Sequence, residues 1–163
     1  MSQAAKPADE VVAAFIADSD QVFTAAYDAL PMAEQRRIYD AYWQRYHAPR
    51  PVGVTVETIE IAGPNGKCRA ILYRPPQIGN GAEALPIVVY FHGGGFMLGS
   101  TALYDTTCRR LAVSGNCAVL SVDYRLAPET QFPGAVLDAY AATRWASASA
   151  ESSRPRREPR AAP

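Results

Sequence analysis

The run "LPIVVYFHGGGFMLGS", residues 85–100, constrains this chain more than any other. "LPIVVYF" is continuously apolar and β-branched, the composition of a strand covered on both faces, as in a parallel sheet. Three glycines follow at its C-terminal end. Backbone without Cβ lets amide groups approach a ligand closely, and the carboxyl end of a parallel strand is where open α/β sheets place their functional crevice. The expected class is therefore α/β.

The rest of the sequence fits around that strand. With 163 residues, 48% of them hydrophobic, the chain can bury one sizeable core but not two full domains. Two helical stretches open it, "ADEVVAAFIADSDQVFTAAYDAL" and "PMAEQRRIYDAYWQRYH". Pro31 stands at the favoured first position of the second stretch, and Ile38, Tyr42 and Tyr46 form a packing stripe along it. "VTVETIEIAGPNGKCRAILYRP" then alternates around the turn Gly63-Pro64-Asn65-Gly66, as a β-hairpin with one wet face does. After the glycines, Tyr104, Cys108, Leu111 and Ala112 share a helical face, with Gly115 at the expected C-terminal cap. "CAVLSVD" is a second apolar strand, which completes a strand–helix–strand unit. "ETQFPGAVLDAYAATRWA" is a further amphipathic helix, with Pro133 near its start and Val136, Tyr140 and Thr143 along one face. From Ser147 onward "SASAESSRPRREPRAAP" has no large apolar side chain, so residues 147–163 read as a disordered tail.

Several classes of function are disfavoured by composition. Lys plus Arg and Asp plus Glu both number 16, so overall charge gives no reason to expect nucleic acid or an anionic membrane as a partner. No apolar run approaches the roughly 18 residues of a membrane span, and "MSQAAKPADE" does not resemble a signal peptide, so the expected location is cytoplasmic. Cys68, Cys108 and Cys117 are widely spaced, without a CxxC or a nearby histidine pair, and read as small buried hydrophobes; no metal or other cofactor is expected. His47 reads as a helix-end or surface histidine.

Bare amides at the end of a strand suit negative charge, and two sources of charge compete. A nucleotide pyrophosphate would use a GxGxxG turn, with Asp123 on a ribose hydroxyl, but Leu98 stands where that fingerprint needs glycine. The other is the oxyanion formed when a nucleophile attacks an ester carbonyl. It must be met by donors placed about 2.7–3.1 Å away, and an HGGG element does this in esterases.

"HGGGFMLGS" followed by "SVDYRLAPETQFPGAVLDAYAATRW" resembles the hormone-sensitive-lipase-like (bacterial family IV) carboxylesterases of the α/β-hydrolase fold. The resemblance implies an N-terminal helical cap segment over residues 1–50 and the N-terminal half of the hydrolase domain over residues 51–146. It gives the amides of Gly94 and Gly95 the oxyanion, Gly93 the shaping of the turn, and His92 the bracing of the loop. Asp123, Tyr124, Arg125 and Glu129 match the family's "DYRLAPE" element. Charges near a core must pair, so Arg125 is expected to bond Asp123, Glu129 or Asp138 and to fix the loop beside the glycines. The implied substrate is a small-molecule ester.

Such an esterase also needs a serine in GxSxG, then an acid, then a histidine. Ser100, Ser114 and Ser121 have Leu98, Ala112 and Val119 where the preceding glycine should be, and the remaining candidates lie in the tail. Both histidines, His47 and His92, precede any position for the nucleophile. The expectation is a truncated or frame-shifted product that keeps only the oxyanion half and is inactive alone. The alternatives are a non-catalytic binding module, half of a split enzyme, or, less favoured, a nucleotide-binding βαβ unit. In the family's strand order "PIVVYF" would be left as an open edge, a template for self-association.

Overall fold

A computed structural model describes residues 9–64, 66–76 and 85–152. The chain divides into two compact units between Tyr39 and Asp40, inside a helix.

The first unit holds α1 (Glu10–Val22), α2 (Ala25–Asp28) and the beginning of α3 (Met32–Gln44). Asp9 starts α1 by accepting the Val11 N–H at 2.7 Å, a use of the short carboxylate that satisfies one of the free amides of the first turn. The first helical stretch is interrupted, not continuous. Phe23 leaves helical geometry, and Thr24, extended at φ −98°, caps α2 through its hydroxyl. Pro31 precedes α3, and its carbonyl receives the N–H groups of Glu34 and Gln35. The expected tyrosine stripe is only partly realised: Tyr42 is buried on α3, while Tyr46 lies beyond its end and is exposed.

The second unit is built on a mixed sheet of β1 (Thr55–Gly63), β2 (Gly66–Arg74), β3 (Ile87–Phe91) and β4 (Ala118–Asp123) in the order β1-β2-β4-β3. The hairpin forms, with Gly63 opposite Gly66, but β2 has no continuous wet face, since Ala70, Ile71, Leu72 and Tyr73 are buried in succession; Asn65 of its turn lies outside the described residues. β2 pairs antiparallel with β4, and β4 parallel with β3. Between β3 and β4 runs α4 (Asp105–Gly115), and α5 (Gly134–Ser152) follows β4.

Side-chain alternation sends the two faces of the inner strands into separate clusters. Ala70, Leu72, Ala118, Leu120 and Val122 pack with Ala142 and Ala146 of α5. Ile71, Tyr73 and Val119 pack with Cys108 and Ala112 of α4. The helices thus cover opposite faces, the layering expected of an α/β domain.

Four details differ from expectation. β3 is not covered on both faces, since Val88 and Phe91 are exposed; β4 is the better buried parallel strand, with every residue but Asp123 buried, while β3 lies at the edge of the described sheet, as the family's strand order implied. Asn116, not Gly115, takes the left-handed cap of α4, at φ 44°, and Leu111 faces outward. On α5 the residues that face the sheet are Asp138, Ala142 and Ala146, while Val136 and Tyr140 are exposed. Helical spacing fits both faces, and small side chains were needed where the helix lies close to the strands. Finally, α5 runs on to Ser152, past the expected start of the tail; residues 153–163 lie outside the described residues.

Leu120 sits in the middle of β4 with no exposed surface. Leu120→Ala should lower unfolding free energy by about 2–5 kcal/mol, the range for a leucine truncated in a core that collapses only partly, read as a lower urea midpoint with an unchanged slope.

Candidate active site

Because β3 and β4 run parallel, with Phe91 opposite Val122, the segments that leave them, His92–Gly93 and Asp123–Tyr124, emerge side by side. The first carries the glycines and the second supports them. The Tyr124 hydroxyl donates to the His92 carbonyl at 2.6 Å, and the two rings stack with centroids 4.4 Å apart. The His92 ring also stacks against Tyr104, at 5.8 Å, and is 4% exposed. Burial raises the Tyr124 phenol above its ordinary value, with Tyr104 adding to the effect, so Tyr124 stays a neutral donor.

The His92 imidazole has a defined proton. Its Nδ1 lies 3.0 Å from the Gly93 carbonyl, and a carbonyl only accepts, so Nδ1 is the protonated nitrogen. The Tyr124 hydroxyl proton goes to the His92 carbonyl, which leaves its oxygen, 3.4 Å from Nδ1, as a second and weaker acceptor. Nε2 is buried with no hydrogen-bond partner among the described residues.

The turn needs its glycines. Gly94 has φ +132° and Gly95 φ +62°, conformations that L side chains rarely adopt. A Cβ on Gly94 would fall on the Leu98 carbonyl, whereas one on Gly95 would meet open space. Gly99, at φ +85°, packs so closely that a Cβ would lie 2.5 Å from the Gly93 carbonyl and 2.8 Å from His92 Nδ1. The Gly94 carbonyl accepts from Met97 and Leu98 N–H at 3.1 and 2.9 Å. The N–H groups of Gly94 and Gly95 have no partner among the described residues. Successive amides of this kind form a concavity suited to an anion.

Two bonds join this turn to its surroundings. Ala127 N–H donates to the Phe96 carbonyl at 2.9 Å, which links the glycine loop to the loop after β4. Behind the turn, Ser100 Oγ donates to Asp40 Oδ2 at 3.3 Å and accepts the Leu103 N–H at 3.2 Å. Burial pushes the Asp40 carboxyl up, against the opposing pull of the Ser100 hydrogen bond and of His92.

Of the partners open to Arg125, the structure pairs it with Asp138. Nε and Nη2 reach the two carboxylate oxygens at 2.8 and 2.7 Å, and the Arg125 backbone N–H adds a bond of 3.0 Å. Asp138 is wholly buried. The hydrogen bond that Arg125 donates to Asp138, more than any other cause, raises the Arg125 pKa. Asp123 forms no ion pair among the described residues. Arg125→Met would strand a buried carboxylate and should cost about 3–5 kcal/mol, whereas Asp138→Asn, which can still accept from Arg125, should cost less; urea unfolding of both variants checks the order.

Gly93 and Gly95 are exposed and Gly94 half-buried, so the turn faces outward while its support is buried. The sequence reading gave no supporting role to Tyr104, Gly99, Ser100 or Asp40; it placed Tyr104 on a helical face and weighed Ser100 only as a nucleophile. Gly99-Ser100 lay in the quoted motif, but nothing local marks an aspartate sixty positions upstream. His47 is exposed just beyond α3. The three cysteines are buried and unpaired, and burial raises Cys68 and Cys108 to about 11, so both are protonated at neutral pH. No cluster of His, Cys, Asp and Glu suited to a metal occurs among the described residues, and no described helix is long and apolar enough to cross a membrane.

Sheet order, flanking helices and the glycine turn at the end of a parallel strand define an α/β-hydrolase-type protein. A family model described as the alpha/beta hydrolase fold matches residues 88–159. The esterase LipI of Mycobacterium tuberculosis is 41% identical over 135 residues, which is 77% of this chain and 41% of LipI. The carboxylic ester hydrolase LipN of the same organism is 45% identical over 95 residues, 58% of this chain and 24% of LipN. A hyperthermophilic esterase from the archaeon Pyrobaculum calidifontis superposes with a TM-score of 0.77 at 37% identity, over 90% of this chain and 46% of that structure. The chain shares the α/β-hydrolase fold and is similar to hormone-sensitive-lipase-like carboxylesterases. It spans less than half the length of these relatives.

Proposed function

We propose that this chain carries the oxyanion-binding half of a carboxylic ester hydrolase site for small-molecule esters and that, as 163 residues, it does not turn esters over. The observation that carries the reading is the pair of consecutive left-handed glycines, Gly94 and Gly95, whose N–H groups have no partner among the described residues, at the carboxyl end of a parallel strand. When a serine attacks an ester, the carbonyl oxygen gains charge, and donors already in place stabilise it without reorganising. In this reading Gly94 and Gly95 donate, Gly93 turns the chain, and His92 braces the loop from below. Asp123, Tyr124, Arg125, Glu129 and Asp138 shape the supporting loop and do not touch substrate.

Acyl transfer further requires a serine, an acid and a histidine acting together. No serine here stands in GxSxG, and His47 and His92 both precede the glycine turn. The purified chain should therefore hydrolyse an activated short-chain ester no faster than its His92→Ala variant does. Stoichiometric labelling of one serine by a fluorophosphonate probe would overturn this part of the proposal. An intact turn without its own nucleophile also suits a non-catalytic binding module or one half of a two-chain enzyme; restored ester hydrolysis on adding a complementing chain would favour the latter.

The β3 edge supports one more expectation about partners. "IVVYF" contains no proline or charge, and Val88 and Phe91 are exposed on it, so its free backbone groups are a template for pairing. We expect the isolated chain to self-associate in size-exclusion chromatography; a monodisperse monomer with strong exchange protection across residues 87–91 would contradict this.

A further inference from the structure

We propose that Asp40 is a positioning residue for the glycine turn, acting through Ser100; the proposal deepens the oxyanion reading above and rests on it for its functional meaning. The turn does not hold its shape alone. Its back is formed by the returning segment Leu98–Ser100: the Leu98 carbonyl occupies the space beside Gly94, and Gly99 packs against the Gly93 carbonyl and the His92 ring. A shift of that segment moves the surface on which Gly93 and Gly94 rest.

Asp40 sits at the end of this backing. Its Oδ2 accepts the Ser100 hydroxyl proton at 3.3 Å, and the same hydroxyl oxygen accepts the Leu103 N–H at 3.2 Å. The serine proton therefore has one acceptor and its oxygen one donor, so Ser100 is held from two sides. Half of the Asp40 carboxyl makes this bond, while Oδ1 is buried with no hydrogen-bond partner among the described residues. Burying a carboxyl group is costly, and an apolar residue at this place on α3 would avoid that cost. The bond to Ser100 is what the aspartate adds there. His92, whose ring touches the same backing at Gly99, also acts electrostatically on Asp40.

The test uses the full chain, uniformly labelled with ¹⁵N; His47→Gln assigns the His92 ring signals, since the chain has 2 histidines. Asp40→Ala and Ser100→Ala should each shift the amide resonances of Gly93, Gly94 and Gly99 and the His92 ring nitrogens. Each should also speed exchange of the hydrogen-bonded amides of Met97, Leu98 and Leu103 roughly five- to ten-fold, the scale of one lost hydrogen bond, while β4 amides keep their rates. The double variant should be no worse than the more disruptive single one, because both remove the same link. Asp40→Asn, which keeps an acceptor oxygen, should restore shifts and exchange close to the parent's.

Additive effects, an Asp40→Asn chain as disturbed as Asp40→Ala, or a Ser100→Ala chain with parental glycine shifts would overturn the proposal. If Asp40→Ala fails to fold, Ser100→Ala and Asp40→Asn decide it. These readouts do not involve ester hydrolysis. They can fail while the oxyanion reading stands, and succeed while it falls.

Discussion

The carbonyl oxygen of Leu98 lies where a Cβ on residue 94 would have to be, and the arrangement of the whole site follows from that contact. It obliges residue 94 to be glycine and lets the chain turn back on itself within a few residues of β3. The backbone of Gly94 and Gly95 then faces outward while Gly99 and His92 are buried beneath it. The turn's internal bonds, from the Met97 and Leu98 N–H groups to the Gly94 carbonyl, leave the Gly94 and Gly95 amides without a partner among the described residues. Its support comes from below and from the sides: the His92 ring against Tyr124 and Tyr104, the Ala127 bond to Phe96, and Ser100 held by Asp40.

The parallel ladder of β3 and β4 makes that support possible. It brings the glycines and Tyr124 to the same edge of the sheet, so that two loops distant in sequence stabilise one another. The Arg125–Asp138 pair extends the arrangement to α5. Its carboxylate is wholly buried, and three hydrogen bonds from one residue satisfy it. Buried pairs of this kind contribute little net stability but cost a great deal when broken. The pair therefore fixes where the loop after β4 runs more than it strengthens the fold.

How much of this was legible in the sequence depended on whether the signal was local. The strand "CAVLSVD", the hairpin and the glycine turn each carried their evidence in consecutive residues, and the turn's composition could be read as chemistry. Packing partners could not be read in this way. Val136 and Tyr140 looked like the inner face of α5 because they are apolar, yet the sheet takes Asp138, Ala142 and Ala146, which let the helix lie close and deliver a carboxylate to Arg125. The break at Phe23 depended on a cap from Thr24 within an otherwise helical pattern. Asp40 gave no sign at all, since its role exists only once α3 has been brought to the returning segment at Ser100.

The central claim is that the Gly94 and Gly95 amides are preformed donors to a developing oxyanion. The most direct measurement joins residues 1–146 of this chain to the C-terminal part of an esterase relative, to give an active chimaera, and compares its turnover with that of the Gly94→Ala and Gly95→Ala variants. The account predicts that kcat falls by about 100- to 1,000-fold in each variant, the usual cost of losing one oxyanion donor, with a much smaller change in KM. Full turnover in a folded chimaera carrying both substitutions would contradict it, and would leave the glycines as nothing more than a turn.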